Sequence, residues 1–242
     1  MIATAMSQAI RRVADQFTVE VALNPARIEE CYRLRCGGYN TDWPFMAGRD
    51  DRGQDRPGHD EFDQHARHVA LVSRQTDAVM GTARLVLPLP GRPGESFPLQ
   101  RICAVALPAD LPIPTTADVS CFALSHDRSF DTAALLRLGL FQGLIRLSGE
   151  IGLTHWCAVM EPTLLRLLRM TGMPFNPIGP LVDYGGHGQP CYNSISAILS
   201  RASQERPAVW EYLTDSGRLW LEPAGGTVTA GPGPEQSTMR QV

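Results

Sequence analysis

A charged side chain interrupts one of the most apolar stretches of the sequence. Arg84 stands within residues 79–87, which otherwise have the composition of a sheet strand. A guanidinium there requires a partner or an exit to water, because a buried unpaired charge is costly. Asp60 and Asp63 precede this stretch, and Arg35 lies late in a predicted helix. We predict an ion-pair network around Arg84; the alternative is that Arg84 faces water on one side of an antiparallel sheet.

The composition excludes several kinds of chemistry. All 22 basic residues are arginine, which excludes a phosphate-binding or Schiff-base lysine and a lysine general base. The formal charge of -3 provides no basic field for nucleic acid. Six cysteines form no zinc-type spacing, so we expect free thiols, no metal and no cofactor. No apolar run reaches the ~20 residues of a membrane span, and no secretory signal is present, so we predict a soluble cytoplasmic protein.

The order of predicted elements is that of a mixed α/β domain with a single core. The predicted strands are 17–23, 67–73, 79–87, 118–125 and 154–160, with two short strands in 175–192. The predicted helices are 25–38, 132–151, 162–170, 194–204 and 207–214. Residues 46–60 are polar and predict a long loop. We expect a flexible segment 1–16, one domain over 17–221, and a disordered tail 222–242.

The order of the polar residues resembles the autoinducer-synthase superfamily, which makes acyl-homoserine lactones and whose relatives make N-acyl amino acids. The matching residues are Arg35, Tyr39, Trp43, Asp60, Asp63, Arg84, Asp118 and Ser120. Asp118 stands where the family has glutamate, and Cys121 stands where it has arginine. The spacing from Tyr39 to Trp43 is shorter than in the lactone synthases.

Residues 28–210 are similar to a narrower group, the acyltransferases associated with PEP-CTERM/exosortase systems. The shared motifs are Tyr32-Arg33-Leu34-Arg35, Asp60-Glu61-Phe62-Asp63, Gly81-Thr82-Ala83-Arg84-Leu85, Thr154-His155-Trp156, Met160-Glu161-Pro162 and Pro177-Ile178-Gly179-Pro180. The resemblance implies a GCN5-related N-acyltransferase-like fold, of α/β (α+β) class, in which a mixed sheet has helices on both faces. It also implies acyl transfer from a thioester to the amine of an amino acid or related small molecule.

Acyl transfer to an amine requires a proton acceptor, a donor to the thioester oxygen and an apolar slot. Asp118 is the expected proton acceptor, directly or through water; alternatively it is a strand-end carboxylate paired with an arginine. The oxyanion donor is expected to be a backbone N–H in 119–125. The expected amine-binding residues are Arg35, Trp43, Asp60, Asp63, Arg84 and Ser120, and Arg35 or Arg84 would hold a substrate carboxylate.

The acyl slot is expected between strands 119–125 and 154–160. Its candidate lining is Phe122, Phe141, Trp156 and Met160, although core packing also explains each of them. The usual acetyl-CoA loop signature is missing before helix 132–151, which favours an acyl carrier protein as donor. Such carriers are acidic, and the available arginines are Arg128, Arg137, Arg166 and Arg169.

Three other functions remain open. The first is an acyl-homoserine-lactone synthase that uses S-adenosylmethionine, although Cys121 removes an arginine from that pocket. The second is an acyl hydrolase in which Cys121 is the nucleophile and His126 or His155 the base. The third is an acyl-binding module without catalysis.

Overall fold

The computed structural model describes residues 8–10, 12, 14–38, 47–49, 55–101, 103–125, 130–183 and 187–220. The described strands are β1 (Phe17–Val21), β2 (Ala47–Arg49), β3 (Asp55–Pro57), β4 (Ala66–Ser73), β5 (Val79–Val86), β6 (Thr116–Leu124), β7 (His155–Met160), β8 (Asn176–Pro177), β9 (Val182–Asp183) and β10 (His187–Ser194). An eight-stranded sheet has the order β1-β4-β5-β6-β7-β10-β8, with β9 paired to β10. Its pairs are antiparallel except for β6 and β7, which are parallel.

Helices cover both faces of this sheet, as predicted. They are α1 (Pro25–Gly38), α2 (Pro98–Arg101), α3 (Phe130–Ile151), α4 (Pro162–Met170), α5 (Ile195–Glu205) and α6 (Pro207–Thr214). We call the side that carries Leu71 and Leu85 the α3 face, because these residues pack in the main core with the apolar side of α3. The opposite side carries Ala70 and Arg84, and Ala70 packs against Cys31 of α1. We call this side the α1 face.

Alternation along the strands separates the two faces. Arg84 and Leu85 are adjacent in β5, so their side chains point to opposite sides of the sheet. α3 connects β6 to β7, and a helical crossover of this kind is what two parallel neighbours require. The predicted hairpin is confirmed, since β4 and β5 pair antiparallel from Ala66–Val86 onwards.

Two sequence predictions need correction. The predicted loop 46–60 contains the small antiparallel pair β2–β3, because residues 47–49 pair with residues 55–57. The predicted two strands in 175–192 are three, β8, β9 and β10, and the last of these runs on to Ser194.

The structure describes part of the N-terminal segment and none of the predicted C-terminal tail. Residues 8–10, 12 and 14–16 are helical, and Ile10 is buried in the main core. This segment therefore contributes packing to the domain predicted to begin at residue 17. The predicted tail 222–242 lies outside the described residues. Within the described ranges, no helix combines the length and apolar character needed to cross a membrane.

Two irregularities of β6 shape the centre of the sheet. Its pairing with β7 runs only from Thr116–His155 to Asp118–Cys157, although both strands continue. Its pairing with β5 contains a bulge, because Cys121 and Phe122 lie between the partners of Thr82 and Arg84. Cys121 has a φ of 57°, a left-handed conformation that bulges use to redirect a strand. The backbone of β6 beyond Asp118 is thus unpaired on the β7 side.

Candidate active site

Arg84 is the centre of a buried ion-pair network on the α1 face. Its Nη1 donates to Asp60 Oδ1 at 2.6 Å and to Asp63 Oδ1 at 2.7 Å. Arg35, from the last turn of α1, donates through Nη1 to the same Asp63 oxygen at 2.8 Å. Arg84 is 1% exposed and Arg35 is 0% exposed. The predicted network around Arg84 is confirmed, and the solvent-facing alternative is wrong.

A short 3-10 turn, residues 61–65, holds both carboxylates in place. Asp60 caps this turn by accepting a hydrogen bond from the Phe62 N–H at 3.0 Å. Asp63 accepts in return from the Asp60 N–H at 2.9 Å, which completes a capping box. Phe62 is buried and anchors the turn. Burial alone would raise the pKa of Asp63, but the Arg84 and Arg35 guanidinium groups hold it below its usual value.

A histidine that sequence reasoning missed completes the network. His68 of β4 is the register partner of Arg84, and its Nε2 lies 3.5 Å from Asp63 Oδ1. Burial lowers the pKa of His68 to about 3, so its ring is neutral. The signal that identified Arg84, a polar residue inside an apolar strand, was also present at His68.

An aromatic residue of α1 packs beside the same network. The Tyr32 ring stacks on His59 with centroids 3.4 Å apart and meets His68 edge-on at 5.1 Å. The Arg35 guanidinium lies 5.4 Å from the centre of the Tyr32 ring. Tyr32 therefore fixes the direction in which α1 presents Arg35 to the carboxylates.

Ser120 connects the network to Asp118 along β6. Ser120 is the register partner of Arg84 on the opposite side from His68, and its Oγ accepts from Arg84 Nε at 3.3 Å. Asp118, two residues earlier, points to the same face because strand side chains alternate. The Ser120 side chain is partly exposed, whereas Asp118 is buried.

Asp118 is a buried carboxylate to which no described residue donates a hydrogen bond of normal geometry. It is 1% exposed, and neither carboxylate oxygen accepts a hydrogen bond of normal geometry from the described residues. Burial raises the pKa of Asp118 to about 7, against the lowering influence of Arg84 and the nearby Ser120 hydroxyl. The arginine-paired alternative is not what the structure has, because Arg84 donates to Asp60 and Asp63 instead. A carboxylate in this state can exchange a proton near neutral pH.

The predicted cysteine–histidine pair does not form with His155. His155 pairs with Thr116, which precedes Cys121 by five residues in β6. Five strand residues span roughly 16 Å, which is too far for proton transfer. Burial also raises the pKa of the Cys121 thiol, despite the nearby Arg35 and Arg84. The other predicted base, His126, lies outside the described residues.

The four candidates for the acyl slot lie together on the α3 face. The Phe141 ring centroid is 5.0 Å from that of Phe122 and 6.0 Å from that of Trp156. Phe141, Trp156 and Met160 are buried members of the main core, and Phe122 packs against it. The Trp156 indole N–H is satisfied by Ser148 Oγ at 3.0 Å. Their contribution to packing is clear, and a role in acyl binding stays a prediction.

The remaining predicted residues fall into two groups. Trp43, Tyr39 and Arg128 lie outside the described residues. Arg166 and Arg169 are exposed one turn apart on α4, whereas Arg137 of α3 is only partly exposed. Among the described side chains, no group of three His, Cys, Asp or Glu is arranged to hold a metal ion.

Comparison with known proteins identifies the fold. No family model matches the chain, and no curated protein matches it. Among solved structures, FeeM, an N-acyl amino acid synthase from uncultured soil microbes, is 16% identical with a TM-score of 0.55, over 77% of this chain and 94% of FeeM. The acyl-homoserine lactone synthase LasI is 14% identical with a TM-score of 0.58, over 74% of this chain and 89% of LasI. The CoA-dependent acyl-homoserine lactone synthase BjaI is 21% identical with a TM-score of 0.54, over 91% of this chain and 95% of BjaI.

These likenesses establish the architecture. The chain has the GCN5-related N-acyltransferase-like fold of autoinducer synthases and of an N-acyl amino acid synthase, as the sequence predicted. The network of Arg35, Asp60, Asp63 and Arg84 and the carboxylate of Asp118 lie on the α1 face of this fold, beside the point where β6 and β7 cease to pair.

Proposed function

We propose that this protein is an N-acyltransferase that moves a fatty acyl group from an acyl-carrier-protein thioester to the amine of an amino acid or a related small molecule. The observation that carries the proposal is Asp118, a buried carboxylate next to the end of the β6–β7 ladder, whose oxygens accept no hydrogen bond of normal geometry from the described residues. The fold shared with FeeM and the lactone synthases supports acyl transfer as the reaction class. The motif resemblance to exosortase-associated acyltransferases supports the same class.

Asp118 acts as the proton acceptor. An amine is mostly protonated at neutral pH and must lose a proton before or during attack on the thioester carbon. The raised pKa of Asp118, about 7, suits a group that takes up that proton and passes it to the carrier thiolate, which leaves as the thioester C–S bond breaks. Because Asp118 is only 1% exposed, the proton travels through the partly exposed Ser120 hydroxyl or a water molecule.

The ion-pair network keeps Ser120 in position. Arg84 Nε donates to Ser120 Oγ, while Asp60 and Asp63 hold the other end of the guanidinium. The Ser120 hydroxyl is then free to point its hydrogen toward Asp118. A positioned hydroxyl of this kind orients a proton path without carrying charge itself.

The unpaired edge of β6 is suited to the thioester. Beyond Asp118, the backbone N–H groups on the β7 side have no partner in that strand. The bulge at Cys121 and Phe122 tilts this part of the backbone. Such N–H groups can donate to the oxyanion that develops when the amine attacks.

The acyl donor and its acyl chain approach from the α3 face. Phe122, Phe141, Trp156 and Met160 belong to the apolar core on this face and would surround the start of the acyl chain. Arg166 and Arg169 on α4 offer an exposed positive pair to an acidic carrier protein.

The test is direct identification of the product. Purified protein is incubated with acyl carrier proteins of several chain lengths and a pool of amino acids and amines, and mass spectrometry detects any amide. Parallel reactions contain acyl-CoA or S-adenosylmethionine. An amide that the Asp118→Asn variant does not form supports the proposal. Methylthioadenosine with a lactone, or free fatty acid alone, would replace it with a lactone synthase or a hydrolase.

A further inference from the structure

The two buried arginines of the site are already matched by two carboxylates whose side chains are only 13% and 6% exposed. Arg84 Nη1 contacts Asp60 and Asp63, and Arg35 Nη1 contacts Asp63. His68 is neutral, because burial lowers its pKa. The described members of the network therefore carry no net positive charge. A substrate carboxylate placed against them would have to displace an existing ion pair, which is costly at a buried position.

Asp118 shifts the balance further toward a cation. Ionisation of this carboxylate leaves the described site with one net negative charge. Cys121, which borders Arg35 and Arg84, is a neutral thiol whose pKa burial raises. The described site thus attracts an ammonium group and provides no counter-charge for a carboxylate.

An apolar patch continues from Asp118 across the same face of the sheet. Asp118 is the register partner of Cys157, and Cys157 is the register partner of Tyr192. Around this row, six partly exposed apolar side chains pack against the buried cluster that contains Cys157 and Leu99. They are Val105, Leu107, Ile113, Val159, Ile178 and Tyr192. The short helix α2 packs against β7 on this side, where Leu99 and Cys157 belong to the same buried cluster.

We infer that the acceptor substrate is an apolar amine and that it needs no carboxylate. Its nitrogen binds at the partly exposed Ser120, in front of the buried Asp118, and its apolar body packs on Val159, Ile178 and Tyr192. The inference rests on the proposed acyl transfer and specifies its acceptor. It replaces the expectation that Arg35 or Arg84 holds a substrate carboxylate, because both arginines already bind protein carboxylates. An amino acid is accepted when its side chain is apolar, and its carboxylate then faces away from the network.

A matched set of acceptors tests the absence of carboxylate recognition. Phenylalanine, phenylalaninamide and phenethylamine share an aromatic body, and ethanolamine lacks it. We expect kcat/KM for phenylalaninamide and phenethylamine to equal or exceed that for phenylalanine, and ethanolamine to be at least tenfold poorer. A preference of tenfold or more for phenylalanine over phenylalaninamide would overturn the inference, as would equal use of ethanolamine.

Variants of the patch test the position of the apolar body. Tyr192→Ala and Ile178→Ala should raise the KM for phenethylamine at least fivefold and leave the KM for the acyl donor unchanged. Leu181→Ala is the matched control, because Leu181 is 53% exposed and lies outside the patch. Thermal unfolding of each variant shows whether it is folded. Unchanged KM values in folded patch variants would contradict the inference.

Direct binding separates this inference from the proposed function. Calorimetric titration of the unmodified protein with phenethylamine and with phenylalanine requires no turnover. Binding of phenethylamine at least as tight as that of phenylalanine supports the apolar-amine site even if no thioester is consumed. Amide formation that strictly requires a carboxylate would retain the proposed function and reject this acceptor class.

Discussion

The two faces of the central sheet bury different kinds of residue from the same strands. On the α3 face, Leu85 packs with Phe141 and Trp156 in a core that is almost entirely apolar. On the α1 face, the neighbouring Arg84 is buried just as completely, but among carboxylates. The α3 face gains stability from hydrophobic burial. The α1 face gains little net stability from its ion pairs, since desolvation offsets their attraction.

This contrast distinguishes the α1 face, which carries the candidate active site, from the α3 face, which forms the apolar core. A core that only had to be stable would place apolar residues on both sides of β5. Instead, the α1 face holds Asp118, a buried carboxylate that accepts no hydrogen bond of normal geometry from the described residues. Such a group costs stability when it ionises, and the proposed proton transfer gives a reason to keep it. Substitutions on the two faces should therefore differ in the property that they change.

The largest expected effect is loss of the central guanidinium. Arg84→Ala leaves Asp60 and Asp63 as buried negative charges with Arg35 alone, and should cost about 3–5 kcal/mol of unfolding free energy. Urea denaturation provides the measurement. The control is Arg201→Ala, which removes an exposed pair with Glu205 and should cost less than about 1 kcal/mol. A loss below about 1 kcal/mol for Arg84→Ala would show that the α1 face tolerates a broken network.

The second prediction separates activity from stability at Asp118. Asp118→Asn keeps the shape but removes the proton acceptor, so kcat should fall about 10²–10⁴-fold. The variant should be more stable than the unmodified protein at pH 7, because an amide cannot ionise and so escapes the cost of burying the Asp118 charge. A variant that loses stability but keeps its kcat would assign Asp118 a purely structural role.

The pH dependence follows from the same carboxyl group. Burial raises the pKa of Asp118 from 3.8 to about 7, so the folded protein holds a proton that the unfolded chain releases in this range. Its stabilising contribution is complete below pH 3.8 and is lost as the pH rises to about 7. We expect on the order of a few kcal/mol. The kcat should instead rise through the same pH range, since ionised Asp118 is the base. Both trends should disappear in Asp118→Asn, as measured by denaturation and by a pH–rate profile.

A smaller effect is expected at the connecting hydroxyl. Ser120→Ala removes the group that accepts from Arg84 Nε, and kcat should fall about tenfold. Ser120→Thr retains a hydroxyl and should recover most of the activity. Equal rates for the alanine and threonine variants would show that the proton passes through water without Ser120.

The smallest expected effect concerns the donor. Arg166→Glu with Arg169→Glu should raise the KM for an acyl carrier protein several-fold, and more so at low salt. The KM for acyl-CoA should change less, because its contact with α4 does not depend on a large acidic surface. Arg201→Glu on α5 is the control for charge reversal elsewhere. Equal effects on both donors would place the carrier on another surface.

Local sequence pattern predicted most of the framework. Two apolar runs separated by a turn predicted β4 and β5, and the charge inside 79–87 predicted the burial of Arg84 and its carboxylate partners. These predictions succeeded because apolar runs and the cost of an unpaired buried charge are properties of short segments. The loop predicted for 46–60 was less accurate, since the short pair β2–β3 has little apolar pattern to reveal it.

What the sequence determined by itself is therefore the order of elements, the faces of the strands and the need of Arg84 for counter-charges. Only the tertiary structure decided that His68 lies beside Asp63 and that His155 is remote from Cys121. It also decided that Asp118 accepts no hydrogen bond of normal geometry from the described residues. Each of these depends on the register between strands far apart in the chain. Register is set by the packing of whole faces and by bulges such as that at Cys121. The sequence of one strand does not specify which residues of a distant strand pair with it.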